Sequence, residues 1–304
     1  MEQFLQQMVN GFTVGSVYAL VALGYTMVYG ILRMINFAHG EMFMLGSYIA
    51  LTLMVSHYVN VLAVIPNLLL ALVCIFIVSM MVVALAGVAI ERIAYRPLRK
   101  AGRLAPIVSA LGISIAVQNA VMLIYGTQYQ VFPEGLVPEV VWRIGGVQIT
   151  PMQIVILGIS VSLMVALYTF VQRTPLGTAI RATALDHDAA RLMGIDVDRI
   201  ILTVFLIGPA LGAAGGIMVG LYYRQVNFTM GWTYGLKAFT AAIMGGIGNI
   251  PGAMIGGLLL GILETLGAGY VSTGWKDAFA FFILITILVF RPTGLLGERV
   301  AEKI

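Results

Sequence analysis

Charge is what this sequence has least of. Asp, Glu, Lys and Arg make up 10% of the 304 residues, and 60% are hydrophobic. A soluble chain carries about 25% charged residues. So few charges do not cover a water-soluble domain of this length, and the solvent for most of this surface must be lipid. Cysteine is nearly absent. The one thiol, Cys74, lies inside an apolar run and has no partner for an intrachain disulfide, so it reads as a small buried hydrophobe. The three histidines, His39, His57 and His187, have no metal-ligand spacing, which argues against a structural zinc site.

Other absences narrow the function. The lysines, Lys100, Lys237, Lys276 and Lys303, follow Arg99, Leu236, Trp275 and Glu302. A Walker A loop needs Gly before its Lys, so any ATP energy must come from a separate subunit. Ser16, Ser47 and His39 offer a serine–histidine pair, but no Ser stands in a Gly-x-Ser-x-Gly elbow, so a membrane protease is not supported. Glu264 and Asp277 are isolated in sequence, with no paired carboxylates for acid–base work. The net charge of +4 is not gathered into basic blocks interleaved with aromatics, so nucleic acid is not an expected partner. The N-terminus has Glu2 where a signal peptide has a basic region, so the first apolar segment is expected to stay.

What is present is a series of long apolar runs. A helix needs about 20 apolar residues to cross the hydrocarbon core. Stretches free of Asp, Glu, Lys and Arg predict helices near 4–29, 38–56, 66–92, 105–125, 151–171 and 200–222. A glycine-broken region comes next at 238–268, then a helix near 276–290. About 7 to 9 crossings are expected. The region 238–268 is either a re-entrant hairpin or part of three short spans. Many of the 35 glycines fall within apolar runs, where small residues let helices approach closely.

Cations set the orientation. Most of the 17 lie in three segments: 92–103, 173–199 and the tail from Arg291, including Arg299 and Lys303. All three are expected in the cytoplasm. The segment 126–150, with Pro133, Glu134, Pro138 and Glu139, fits the outside, and so does the N-terminus if the first three helices all cross.

Three segments can carry function. Residues 35–41 place Asn36, His39 and Glu41 between two apolar helices. Polar groups at membrane depth usually line a path, so a broken helix beside a solute is expected, against the plainer reading of an interfacial loop. Residues 244–252 contain Gly245, Gly246, Gly248 and Asn249, through which a helix cannot run cleanly. This is a second candidate wall of the path, or else a tight turn outside the membrane. In the third segment, about 173–199, a helix over 178–193 carries Ala182, Leu185, Ala189, Leu192 and Met193 on one face and Arg181, Asp188 and Arg191 on another, with Gly194 placed to end it. It suits docking into a protein groove, with Arg181, Leu185, Asp186, Ala189, Leu192 and Gly194 as the coupling residues, or else it folds back on its own bundle.

These residues resemble the LivH-type permeases of branched-chain amino acid ABC importers. The resemblance rests on Gly15-Ser16-Val17-Tyr18-Ala19-Leu20, Ile35-Asn36-Phe37-Ala38-His39-Gly40-Glu41, Glu91-Arg92 with Ala94-Tyr95-Arg96-Pro97, Lys237-Ala238-Phe239-Thr240-Ala241-Ala242, Gly245-Gly246-Ile247-Gly248-Asn249-Ile250-Pro251-Gly252 and Arg291-Pro292-Thr293-Gly294. It covers nearly the whole chain, with departures at 126–150 and at Leu185-Asp186-His187-Asp188. It implies an all-α polytopic bundle with broken or re-entrant helices, in two related, oppositely oriented halves, as a single membrane domain over 1–304. It also implies a second related permease subunit, two ATPase subunits that use the ATP, a solute-binding protein outside, and a multi-pass place in a prokaryotic plasma membrane. No cofactor is expected on this chain. The alternatives are an ion-gradient-driven transporter, for which Glu41 and Glu264 are the carboxylates, and a permease for urea or short amides.

Overall fold

The computed structural model describes residues 1–56, 60–99, 101–102, 104–136 and 140–297. Its helices are α1 (Glu2–Leu32), α2 (His39–Val55), a single turn α3 (Val61–Val64), α4 (Leu68–Ile90), α5 (Leu104–Tyr125), α6 (Pro151–Arg173), α7 (Pro175–Leu185), α8 (His187–Leu192), α9 (Val197–Tyr223), α10 (Met230–Gly245), α11 (Ile250–Tyr270) and α12 (Lys276–Phe290). Several helices start at side chains that accept the free amides of a first turn. Asn67 opens α4, Thr174 opens α7, and Thr150 with Gln153 forms a capping box at α6. Among the described residues, seven helices are long and apolar enough to cross a membrane.

Among the described residues, strand is confined to one end. β1 (Gln130–Val131), β2 (Trp142–Ile144), β3 (Val147–Ile149) and β4 (Gln225–Val226) form two antiparallel pairs, β1 with β4 and β2 with β3. Gln6 of α1 donates to the Gln148 carbonyl at 3.0 Å, so the start of α1 lies at this end. The opposite end collects the cations. Arg96 and Arg99 pair with Asp198 at 3.2 and 2.6 Å, and Arg99 also pairs with buried Glu91. Arg33 and Arg181 lie at the same end, on the α7 region. The positive-inside rule makes this end cytoplasmic and the N-terminus external. Lys100, Arg103, Arg299 and Lys303, which contributed to that expectation, lie outside the described residues, as do His57, Pro138 and Glu139.

α1 is the central helix, packed against α11, α9 and α10. α4, α5, α6 and α12 turn apolar faces outward: Leu69, Leu85, Leu123, Val161 and Phe282 are all exposed. Cys74 on α4 is half-buried. The interior contacts depend on small residues. Gly46 of α2 lies on Ala213 of α9, and a Cβ on Gly216 would overlap the Phe43 backbone carbonyl. Backbone cannot rotate away from such a clash. Gly216→Ala is expected to destabilise the bundle by about 1–3 kcal/mol, read as a lower midpoint in detergent-solubilised thermal unfolding.

One expectation needs correction, and one open alternative is decided. The single helix over 178–193 is two helices, α7 and α8. Asp186 between them is extended (φ −154°, ψ 117°), and its carboxylate accepts from the amides of Asp188 and Ala189 at 2.8 and 3.0 Å. A residue that caps a new helix ends the old one. The region 238–268 is not a re-entrant hairpin but, with 276–290, forms the alternative of three short spans, α10, α11 and α12. α10 starts earlier, at Met230, and α10 and α11 are joined by a turn at the cytoplasmic end, where the Cα of Gly248 comes close to Gly30 near the end of α1.

Candidate functional site

The helix after the 33–38 segment begins deep in the bundle. His39 Nε2 is 3.2 Å from the Val21 carbonyl. Val21 stands eleven residues before Leu32, about 16 Å along α1 at 1.5 Å per residue. A hydrocarbon core is about 30 Å thick, so α2 starts near its middle and runs outward. α10 starts at the same depth, with Gly231 against Gly40 and Glu41 and Gly235 against Gly40 and Tyr25. It runs the other way, to the cytoplasmic turn. Two helix N-termini, each a partial positive charge, therefore meet in the membrane interior.

The segments that lead into this junction repeat one another. Arg33-Met34-Ile35-Asn36-Phe37-Ala38-His39-Gly40 matches Arg224-Gln225-Val226-Asn227-Phe228-Thr229-Met230-Gly231 at four of eight positions. Arg33 and Arg224 share the left-handed conformation, at φ 53° and 56°. Asn36 Oδ1 accepts from the Ala38 amide at 3.1 Å and Asn227 Oδ1 from the Thr229 amide at 2.8 Å. The helices before them, α1 and α9, run antiparallel: Gly24 meets Gly208, while Val17 and Val21 meet Gly215. The halves are thus oppositely oriented, and the partner of the 35–41 break is 224–231, not 245–252. Sequence reasoning missed 224–231 because its polar residues are few. The repeated Arg-x-x-Asn-Phe-x-x-Gly spacing is the signal that finds it.

Each predicted path residue has a definite place. Asn36 is buried, and its Oδ1 also accepts from Tyr95 Oη at 2.8 Å. Tyr95 is carried there by one wide turn, Glu91–Tyr95, that extends α4. His39 fits between Gly24, Gly208 and Gly212, edge-on to Tyr25. Glu41 is buried, with Oε1 accepting from Ser114 of α5 at 2.9 Å and Oε2, beside Gly231, without a hydrogen-bond partner among the described residues. A narrow cleft adjoins them, lined by Tyr25, Phe37, Gly40, Gly231, Trp232, Gly235 and Leu236. Gly245, Gly246, Gly248 and Asn249 lie elsewhere, in the cytoplasmic turn. Gly246 and Gly248 have φ of 105° and 96°, which favours glycine. Asn249 caps α11 by accepting from Gly252 N and donates to the Leu296 carbonyl, both at 2.9 Å. The structure does not bring this turn to Asn36, His39 or Glu41.

The coupling candidates divide into two groups. Arg181 donates to the Val171 and Gln172 carbonyls at 3.0 and 3.1 Å, tying α7 to the end of α6. Asp186 caps α8. Gly194, at φ 82°, stands just past the end of α8. Leu185, Leu192 and Met193, with Ala189, face outward, and the three large side chains are 83, 89 and 82% exposed.

A second polar cluster was not foreseen. Glu264 of α11 is fully buried and meets Lys237 of α10 at 2.9 Å, Lys276 of α12 at 3.2 Å and the Tyr18 hydroxyl at 3.2 Å. Lys237 also meets Asp277 at 2.6 Å. Among the described residues no group of His, Cys, Asp and Glu is placed to hold a metal ion.

The family model described as "Branched-chain amino acid transport system / permease component" matches residues 7–288. The chain belongs to this permease family. It is 47% identical, over 99% of its length and 98% of the relative's, to the high-affinity branched-chain amino acid transport system permease protein BraD of Pseudomonas aeruginosa. It is 44% identical, with the same coverage, to the corresponding permease protein LivH of Escherichia coli K12. A shorter similarity, 28% identity over 43% of each chain, reaches the probable branched-chain amino acid transport permease protein LivM of Methanocaldococcus jannaschii. The permease is a multi-pass helical membrane protein.

Proposed function

We propose that this permease is the membrane-spanning subunit of a plasma-membrane ABC importer that moves branched-chain amino acids with ATP hydrolysed by separate subunits. The observation that carries the reading is near-full-length similarity to permeases of that solute class. A second permease, two ATPases and an external solute-binding protein complete the assembly. The chain itself carries no cofactor and acts as a conduit, not an enzyme. The junction of α2 and α10 forms part of the route. Glu41 and the N-terminus of α10 suit the charged ends of a zwitterion, and Phe37, Trp232 and Leu236 suit its aliphatic side chain.

An ion-driven transporter needs a buried carboxylate free to load an ion. Glu264 is engaged by two lysines and a tyrosine and does not meet that need. Glu41, buried with one oxygen unengaged among the described residues, does, so what weighs against that alternative is the near-full-length similarity to branched-chain amino acid transport system permeases.

The docking surface is Leu185, Ala189, Leu192 and Met193 on the α7–α8 corner. Leu185→Ser combined with Leu192→Ser removes two anchors of such an interface, each worth at least about 1 kcal/mol. Co-purification of the ATPase subunits in mild detergent is expected to fall at least about tenfold while the yield of folded permease holds. A wild-type chain that purifies alone, or a variant that retains its ATPases, sinks this reading.

A further inference from the structure

The α7–α8 corner holds the end of α1 by two hydrogen bonds that run in opposite senses. His187 Nε2 donates to the Ile31 carbonyl at 2.8 Å. A carbonyl can only accept, so this nitrogen carries the proton. In return, Arg33 Nη2 donates to the Ala184 carbonyl at 3.1 Å. Both acceptors lie in the last turn of a helix, where carbonyls have no partner in the helix itself. Each side chain thus caps the other element: His187 of α8 caps α1, and Arg33 beyond α1 caps α7.

The chain beyond Arg33 makes this contact consequential. Five residues separate Arg33 from His39, and that segment is braced. Arg33 N donates to the Tyr29 carbonyl at 2.8 Å, Asn36 Oδ1 takes the Ala38 amide and Tyr95 hydroxyl, and His39 N donates to the Asn36 carbonyl at 3.0 Å. A displacement of Arg33 is therefore passed on to the start of α2, where His39 and Glu41 stand. The homologous arginine, Arg224, lies at the outer end of α9 beside β4, away from α7–α8. The repeat supplies the bent lead-in segment twice, but only the first copy is tied to the cytoplasmic corner.

We propose that Arg33 and His187 form a clasp that conveys movement of α7–α8 to the broken start of α2, and so sets how much solute crosses per ATP consumed. They are positioning residues: neither touches the solute route. The competing path is covalent, from α8 through residues 193–196 into α9. The proposal rests on the importer reading, with α7–α8 as the ATPase contact.

The test uses the whole complex in proteoliposomes with its binding protein, measuring leucine uptake and ATP hydrolysis in the same vesicles. Arg33→Ala with His187→Ala is expected to leave hydrolysis within about twofold and to lower uptake per ATP about tenfold, the usual scale of coupling between sites. His187→Gln, whose amide can donate to Ile31, should recover much of the loss when Arg33 is intact. Unchanged uptake per ATP in the double variant overturns the clasp and assigns coupling to the α9 path. A second arm does not depend on the alanine variants folding. In a Cys74→Ser background, Arg33→Cys and Ala184→Cys are joined by a short bis-thiol-reactive linker. If the corner and the end of α1 move as one body, linked complexes keep wild-type uptake per ATP. If linking blocks uptake, the two part during the cycle and the clasp is wrong. A wild-type chain that binds no ATPase overturns the importer reading itself, a result distinguishable from either outcome.

Discussion

Lys237→Ala is expected to lower the stability of the permease by about 3–5 kcal/mol, because it takes the nearest cation from a buried carboxylate. Glu264 has no solvent exposure, and Lys237 is its nearest cation, shared with Asp277. Lys276 is farther, at 3.2 Å, and one-third exposed. Lys276 and the Tyr18 hydroxyl would then be what remains beside Glu264. Folded domains have total stabilities of about 5–15 kcal/mol, so the loss should appear as aggregation on extraction and a large drop in unfolding midpoint. The size of that loss is not the worth of the pair. Replacing both partners, Lys237→Met with Glu264→Met, removes the desolvated charges together and is expected to regain most of the stability. Thermal unfolding of the two single variants and the double variant closes a cycle that isolates the coupling. A Lys237→Ala protein within about 1 kcal/mol of wild type would mean that Glu264 is not buried against Lys237.

This cluster marks where sequence reading stops. Long charge-free runs reveal helices because a membrane demands both length and apolarity, so α1, α4, α5, α6, α9 and α12 stand close to their expected bounds. Caps such as Thr150 and Asn67 are equally local signals. Glu264, Lys237, Lys276 and Asp277 sit on three helices and look unrelated until the helices pack. Depth is similarly hidden. Residues 35–41 look alike in sequence whether they lie at the interface or deep inside the bundle; only the contact with Val21 places them. The glycines at 245–248 drew attention by density, yet their positive φ values serve a turn. The less conspicuous Asn227-Phe228 and Gly231 form the matching break. At the cytoplasmic corner the apolar stripe from Ala182 to Met193 runs unbroken through Asp186, so periodicity alone gave one helix. The side chain that splits it acts through backbone amides that a helical wheel does not represent.

Glu41→Gln is expected to reduce uptake about tenfold to a hundredfold, on the scale of losing a hydrogen bond to a charged group. The substitution keeps the size of the side chain and an oxygen that can accept from Ser114. What it removes is the negative charge beside Gly231, at the meeting of two helix N-termini. Those termini favour an anion and offset part of the cost of burying a carboxylate there, and its Oε2 has no hydrogen-bond donor among the described residues. The ammonium group of an amino acid passing the junction is such a donor, and a neutral amide attracts it far less. If Glu41 only supports the packing of α2, the isosteric amide should transport normally, since the 2.9 Å contact with Ser114 survives. Glu41→Asp, which keeps the charge on a shorter stem, should fall between the two. The measurements are leucine uptake by the reconstituted importer at saturating binding protein, ATP hydrolysis in the same vesicles and the folded yield of each variant. Loss of uptake with yield retained places the charge on the route. Wild-type uptake by the glutamine variant moves the route away from this junction, leaving Glu41 a structural acid at the head of α2.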